Sequence, residues 1–254
     1  MLNRSSTVST ITCTTLPAIQ WLDGAVCPFT DALAVFRFEW PGQIELDNLL
    51  SELTFAEIER AKRFRRQEDQ YRFVYGRRIL RRLLGNYVGQ PPGSIELTEG
   101  INRKPVFTNS PGWQFTISHS GDWILVAIST VWVGVDLEKS VQSFDFQGIV
   151  SQSFSKSEQQ FVEESLNRVN AFNTVWTRKE ALVKATAKGV DEDFARVPSL
   201  DGRHSVDSLV IGGSGDWLVN SFWVAEWYPA AVAYPDTIKE PQFYTLDSQF
   251  LEVV

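Results

Sequence analysis

Two stretches of this chain repeat one spacing, and that repetition constrains the fold more than any other feature. Thr54-x-x-Glu57 and Ser155-x-x-Glu158 both read as a helix start in which a hydroxyl and a glutamate three residues on cap each other's backbone amides. A basic pair lies 23 positions beyond each start, Arg77-Arg78 in the first case and Arg178-Lys179 in the second. An apolar run precedes each, Leu33 to Glu39 and Trp132 to Glu138, with the composition of a strand. A duplicated unit is the economical explanation. The expected fold is therefore α+β, two similar adjoining α/β lobes with a cleft between them.

The remaining segments fill in this plan. A basic helix is expected from about Gln70 to Leu84 and a second helix from Trp176 to Ala187. Gln114 to Ile117 and Trp123 to Ser129 are aromatic and β-branched, as strands are, and the small polar run Ser118 to Asp122 between them reads as a turn. Strands are also expected at Ser205 to Ile211, Trp217 to Val219, Phe222 to Trp227 and Ala230 to Ala233, with Gly212-Gly213-Ser214-Gly215 as a turn. The expected boundaries are a loose N-terminal tail over 1–20, an N-terminal lobe over 21–130, a C-terminal lobe over 131–235 and a C-terminal extension over 236–254.

Charge narrows the partners. The net charge of -7 argues against general nucleic-acid affinity, yet ten of the 24 Lys and Arg residues lie between Arg60 and Arg82. Such a cluster on an acidic protein implies an anionic partner, and guanidinium groups match phosphate oxygens bidentately. No zinc ligand set, helix-turn-helix or RNA-binding aromatic motif accompanies it, so nucleic acid is not expected. Only Cys13 and Cys27 occur, outside any metal-ligand spacing, which suits a reduced cytoplasm. No run approaches the roughly 18 apolar residues of a membrane span.

The chemistry concentrates in Gly134-Val135-Asp136-Leu137-Glu138 and in Trp176-Thr177-Arg178-Lys179-Glu180-Ala181-Leu182-Val183-Lys184. Alternate strand residues share a face and helix residues four apart stack along one side, so Asp136, Glu138 and Glu180 can converge on one cation with Lys184 beside it. Taken singly, Glu180 and Lys184 would be a surface pair worth only about 0.3 to 0.5 kcal/mol. Taken together, oxygen-only ligands beside a lysine suit magnesium and phosphate. His119, in Ser118-His119-Ser120, lacks the G-x-S-x-G elbow and orienting acid of a hydrolase triad, and a turn of that composition suits hydrogen bonding to phosphate.

The motif order Lys104-Pro105, Phe115-Thr116-Ile117-Ser118-His119-Ser120, Gly134-Val135-Asp136-Leu137-Glu138 and Trp176 to Lys184 resembles the Sfp-type 4'-phosphopantetheinyl transferases. The resemblance runs from about Leu53 to Gly189 and more loosely to about residue 235. It implies the 4'-phosphopantetheinyl transferase fold, a monomeric pseudo-twofold pair of similar α/β lobes with coenzyme A and the active site in the cleft between them. The implied reaction is transfer of 4'-phosphopantetheine to a serine of an apo acyl or peptidyl carrier protein, releasing adenosine 3',5'-bisphosphate. By the same resemblance Asp136, Glu138 and Glu180 are the magnesium ligands, Lys184 lies near the reacting pyrophosphate, and Ser118 with His119 forms a phosphate-binding turn. Lys104 and Arg60 fall where the family holds coenzyme A phosphates. Glu180 through a water, Glu158, or a neutral Lys184 are the candidate bases. Glu57 departs from the pattern where some members carry a basic residue, and Ala187 where a glycine is usual. A magnesium-dependent phosphohydrolase, or a non-enzymatic module binding an anion through the arginines, are the alternatives.

Overall fold

The computed structural model describes residues 7–42, 50–110 and 112–252; residues 1–6 of the expected tail lie outside them. The chain runs β1 (Val8–Thr15), β2 (Leu22–Asp23), β3 (Leu33–Glu39), α1 (Phe55–Ala61), α2 (Gln67–Val88), β4 (Leu97–Glu99), β5 (Pro105–Phe107), β6 (Gln114–Ser120) and β7 (Trp123–Ser129). It continues through β8 (Gly134–Leu137), α3 (Gln147–Ser153), α4 (Lys156–Glu164), α5 (Arg168–Ala185), β9 (Gly202–Asp207), α6 (Ser208–Ile211), β10 (Asp216–Ala225), β11 (Tyr228–Pro235) and β12 (Gln242–Leu246).

The duplication is real in three dimensions. One offset carries the first residues of β3, α1 and α2 onto those of β8, α4 and α5. Both helix starts close as reciprocal caps, with Glu57 accepting from the Thr54 amide at 2.9 Å and Glu158 from the Ser155 amide at 2.7 Å. Within each unit the third strand lies between the first and second, giving β3-β7-β6 in one sheet and β8-β11-β10 in the other, all antiparallel.

The termini overturn the expected boundaries. β1 is no loose tail: it pairs in parallel with β10 and antiparallel with β9, and Ile11 and Cys13 are fully buried. Its Ser and Thr content suggests polarity, but Thr is β-branched and the inward positions are Ser9, Ile11 and Cys13, which suits a strand. β12, in the expected extension, pairs in parallel with β3 and β2. The first strand of the chain thus completes the second unit's sheet, and the last strand completes the first unit's.

Alternation along β7 shows how the layers stack. Ile124, Val126 and Ile128 face α2 in one core, while Leu125 and Ala127 meet Val135, Leu137, Phe222 and Val232 of the other sheet in a second core. α5 covers the far face of that second sheet through Ala181, Leu182 and Ala185. The order is helix, sheet, sheet, helix. Three local expectations also change: Ser118 to Ser120 belong to β6, with only Gly121-Asp122 left as the turn; Ser208 to Ile211 is a helical turn; and α5 begins eight residues before Trp176. Gly121 takes φ 54, the left-handed conformation a two-residue hairpin needs. No helix among the described residues is long and apolar enough to cross a membrane.

Candidate active site

Gly134 decides where the site forms. A Cβ there would lie 1.9 Å from the Ala181 carbonyl oxygen and 2.4 Å from the Ala185 amide, so only glycine lets the α5 backbone rest directly on β8. That approach brings the helix residues Glu180 and Lys184 against Asp136, whose side chain leaves the same face of the strand as Gly134. Val135 and Leu137 point the other way and are fully buried in the core between the sheets.

The acids are met from across the seam by β6. Ser118 Oγ donates to Asp136 Oδ1 at 2.8 Å, and two residues on, Ser120 Oγ donates to Glu138 Oε2 at 2.9 Å. Lys184 Nζ lies 2.5 Å from Asp136 Oδ1, 3.3 Å from Ser118 Oγ and 4.0 Å from Glu180. Burial alone would lower the Lys184 pKa, but the Asp136 and Glu180 charges outweigh it and raise it. Burial and the Asp136 charge push Glu138 up to about 7. Burial likewise raises Glu180, with Lys184 opposing and Asp136 adding to the shift.

Beside this cluster lies a cavity of about 320 Å³ between α2, the 102–105 segment, β6 and α5. Its walls carry Arg60, Arg72, Arg77, Arg103, Lys104 and Lys184 as cations, with Glu180 the carboxylate among them. The structure divides the arginine cluster. Arg81 is buried on Glu57 at 2.9 Å, and Arg78 and Arg82 pair with Glu52 at 3.3 and 2.5 Å. Lys62, Arg63, Arg65 and Arg66 face solvent, and Arg60, Arg72 and Arg77 reach the cavity. His119 also lines it, its pKa lowered by desolvation and by the charges of Arg72 and Lys184.

Three expected roles change. Lys104 lines the cavity, but its ammonium donates to the carbonyls of Val133, Lys184 and Ala185 at 3.3, 2.7 and 3.0 Å, so it caps the C-terminus of α5. Burial lowers it to about 8. Ser118 spends its hydroxyl on Asp136 from within a strand, not on a phosphate from a turn. Glu158 is 2% exposed and bonded to Ser155, Ser199 at 2.6 Å and Lys179 at 3.0 Å, none of which lines the cavity. These bonds hold it as the buried counter-ion of Lys179.

Comparison with known proteins now adds the family. A profile described as 4'-phosphopantetheinyl transferase, N-terminal, matches residues 39–131, and one described as the 4'-phosphopantetheinyl transferase superfamily matches 132–233. The chain belongs to the 4'-phosphopantetheinyl transferases. It is 32% identical over 152 residues to the 4'-phosphopantetheinyl transferase HetI of Nostoc sp., covering 58% of this chain and 64% of that protein. It is 34% identical over 152 residues to a putative 4'-phosphopantetheinyl transferase of Synechocystis sp., covering 57% and 61%. A 4'-phosphopantetheinyl transferase of Bacillus subtilis is 26% identical over 200 residues, covering 76% and 87%. The chain thus spans less than two thirds of the first two of these relatives.

The acid cluster beside the cavity can be tested as a cation site. Among the described residues no three His, Cys, Asp or Glu side chains stand close enough to form a preassembled cage. Asp136 Oδ2, however, is buried and bonded to nothing, and Glu138 and Glu180 are both held above the usual carboxylate range. Three mutually repelling carboxylates with an orphaned oxygen fit a hard cation that keeps part of its water and takes further oxygens from a substrate. Ser120 was missed from the sequence. Its signal was present: Ser118 and Ser120 share a strand face, as Asp136 and Glu138 do.

Proposed function

We propose that this protein transfers the 4'-phosphopantetheine arm of coenzyme A to a serine of an apo acyl or peptidyl carrier protein. The observation that carries this reading is the junction of the Asp136–Glu138–Glu180–Lys184 cluster with an arginine-walled cavity. Nucleotide phosphates fit the cavity, and the acids mark the reacting end. Asp136, Glu138 and Glu180 would hold magnesium, which when bound supplies positive charge to the pyrophosphate oxygens.

The carrier serine oxygen attacks the phosphorus that bears pantetheine, and the bond from that phosphorus to the bridging oxygen breaks. The bridging oxygen leaves on adenosine 3',5'-bisphosphate. Lys184, kept as an ammonium, faces the charge that develops as this bond opens. Of the three candidate bases, the raised pKa of Lys184 and the buried ion pair of Glu158 favour Glu180, which takes the serine proton through a water. No nucleophile is needed from the chain itself. The reading carries with it a cytoplasmic monomer that uses neither nucleic acid nor membrane.

The test is mass spectrometry of a purified apo carrier after incubation with the protein, coenzyme A and magnesium. A phosphopantetheine-sized gain on the carrier serine is expected, and its loss on omitting magnesium. Release of nucleotide or phosphate with no carrier present would instead mark a hydrolase.

A further inference from the structure

The two edge strands that meet at the acid cluster belong to different sheets. β6 ends one sheet and β8 ends the other, and among the described residues the two are not paired with each other. Side chains close the seam instead, in three rungs. Ser118 bonds Asp136, Ser120 bonds Glu138, and Asp122 bonds both Lys139 and Tyr228.

The first two rungs treat their carboxylates alike, each serine taking one oxygen and leaving the other. Asp136 Oδ1 is held while Oδ2 is bonded to nothing, and Glu138 Oε2 is held while Oε1 accepts no hydrogen bond among the described residues. Asp136 has a second anchor in Lys184, whereas the Glu138 carboxylate receives among the described residues the Ser120 bond alone. A glutamate turns about three side-chain bonds, so that anchor is what fixes its position in the cluster. The direction of the bond is set as well. The Lys139 amide donates to Ser120 Oγ at 3.0 Å, which occupies a lone pair and turns the hydroxyl hydrogen toward Glu138.

The third rung keeps Ser120 in place. Tyr228, buried at the start of β11, accepts from the Asp122 amide at 3.1 Å and donates to the Asp122 carboxylate at 2.6 Å. From the other side Arg72 Nε donates to the Gly121 carbonyl at 2.7 Å. A Cβ on Gly121 would lie 2.5 Å from the Tyr228 hydroxyl, so the glycine lets the tyrosine close on the turn. The ion pair of Lys139 with Asp122 is exposed and adds little.

We propose that Ser120 is a positioning residue for Glu138, fixing one carboxylate oxygen so that the other is presented to the cation, and that Tyr228 keeps Ser120 within reach by gripping the turn between β6 and β7. This rests on the transferase reading, in which Glu138 holds magnesium. Ser120 and Tyr228 stand outside the cavity wall, so cation affinity and coenzyme A affinity should separate when either is changed.

The test is titration with manganese, a divalent ion that takes the same oxygen ligands, followed by electron paramagnetic resonance with coenzyme A present, alongside calorimetry of coenzyme A without metal. Ser120→Ala should bind manganese about 10- to 100-fold more weakly, with metal-free coenzyme A affinity changed by less than about threefold. The magnesium concentration for half-maximal carrier modification should rise by the same factor as the manganese loss. Ser120→Thr keeps the hydroxyl on a strand that suits a β-branched residue and should restore most of the affinity. Tyr228→Phe, which removes the grip and leaves the serine, should show a smaller loss of the same kind, and it carries the test if Ser120→Ala fails to fold. Unchanged manganese affinity, or manganese and coenzyme A binding lost in equal measure, overturns the positioning role. If the wild type modifies the carrier and Ser120→Ala matches it in manganese binding, this inference alone falls; if the wild type does not modify the carrier, the reading beneath falls and takes this inference with it.

Discussion

The two repeats hold equivalent positions and use them in opposite ways. Under the offset that carries Thr54 onto Ser155, Asp136 corresponds to Val35, Glu138 to Arg37, Glu180 to Ile79 and Lys184 to Leu83. Val35, Ile79 and Leu83 are fully buried in apolar cores, and Arg37 lies between the Trp21 and Trp123 rings with bonds to Thr245 and Val224. The difference follows from the sheets. β3 is flanked on both sides, by β7 and β12, whereas β8 is an edge strand that among the described residues pairs only with β11. An edge can present acids to a facing strand and a cavity; an interior strand between packed layers cannot. Duplication thus supplies the frame twice, and the copy with the open edge is the one that carries the acid cluster.

The structural carboxylates make the opposite point. Glu57 and Glu158 are equivalent, and each caps its own helix while neutralising a buried cation on the next, Arg81 or Lys179. Here the two repeats agree, because a buried cation needs a partner in either lobe.

The sharpest way to break the comparison is to give the second repeat the residue of the first. Asp136→Val should lower the rate of carrier modification by at least about 10³-fold, since it removes a proposed cation ligand and the partner of Lys184, while the melting temperature shifts little. Near-normal turnover by mass spectrometry would dissolve the assignment. Gly134→Ala places a methyl in the α5 backbone and should destabilise the fold by about 2 to 4 kcal/mol, read as a lower urea midpoint together with a lower kcat.

Glu57→Gln and Glu158→Gln sharpen the shared half of the comparison. Each should cost about 3 kcal/mol or more by strip-ping charge from a buried pair, with kcat per folded molecule retained in Glu158→Gln. A folded Glu158→Gln protein with kcat collapsed would restore that residue as the base.

A smaller effect is expected from pH. Glu138 is raised to about 7 in the folded protein, so the folded state binds the proton more tightly than the unfolded chain does. The stabilisation it gives is complete below the ordinary glutamate range and is lost as pH rises through about 7. Without magnesium, melting temperature should therefore fall between about pH 5 and 8, and Glu138→Gln should flatten that slope. Magnesium should stabilise the wild type more at pH 8 than at pH 5, because it replaces the proton. Smallest of all, reversing the exposed Arg65 and Arg66 should raise KM for an acidic carrier a few-fold at low salt and leave KM for coenzyme A unchanged.

The sequence by itself determined what depends on neighbours a few residues apart. The capping boxes, the strand limits of β3 and β7, the shared face of Asp136 and Glu138, and the stacking of Glu180 under Lys184 all follow from periods of 2 and 3.6 and from hydroxyl-to-amide reach. The tertiary structure alone decided which charges are available. Ten basic residues between Arg60 and Arg82 look alike in a string, yet Arg81 is consumed by Glu57, Arg82 by Glu52, and only Arg60, Arg72 and Arg77 reach the cavity. Lys104 proved to be a helix cap and Glu158 a buried counter-ion, because partners on other elements, Lys184 and Lys179, claim them first. The exchange of β1 and β12 between the two sheets is equally invisible locally. A strand's own pattern states that it will pair, and only the packed core, by burying Ile11, Cys13, Phe243 and Tyr244, settles with which sheet.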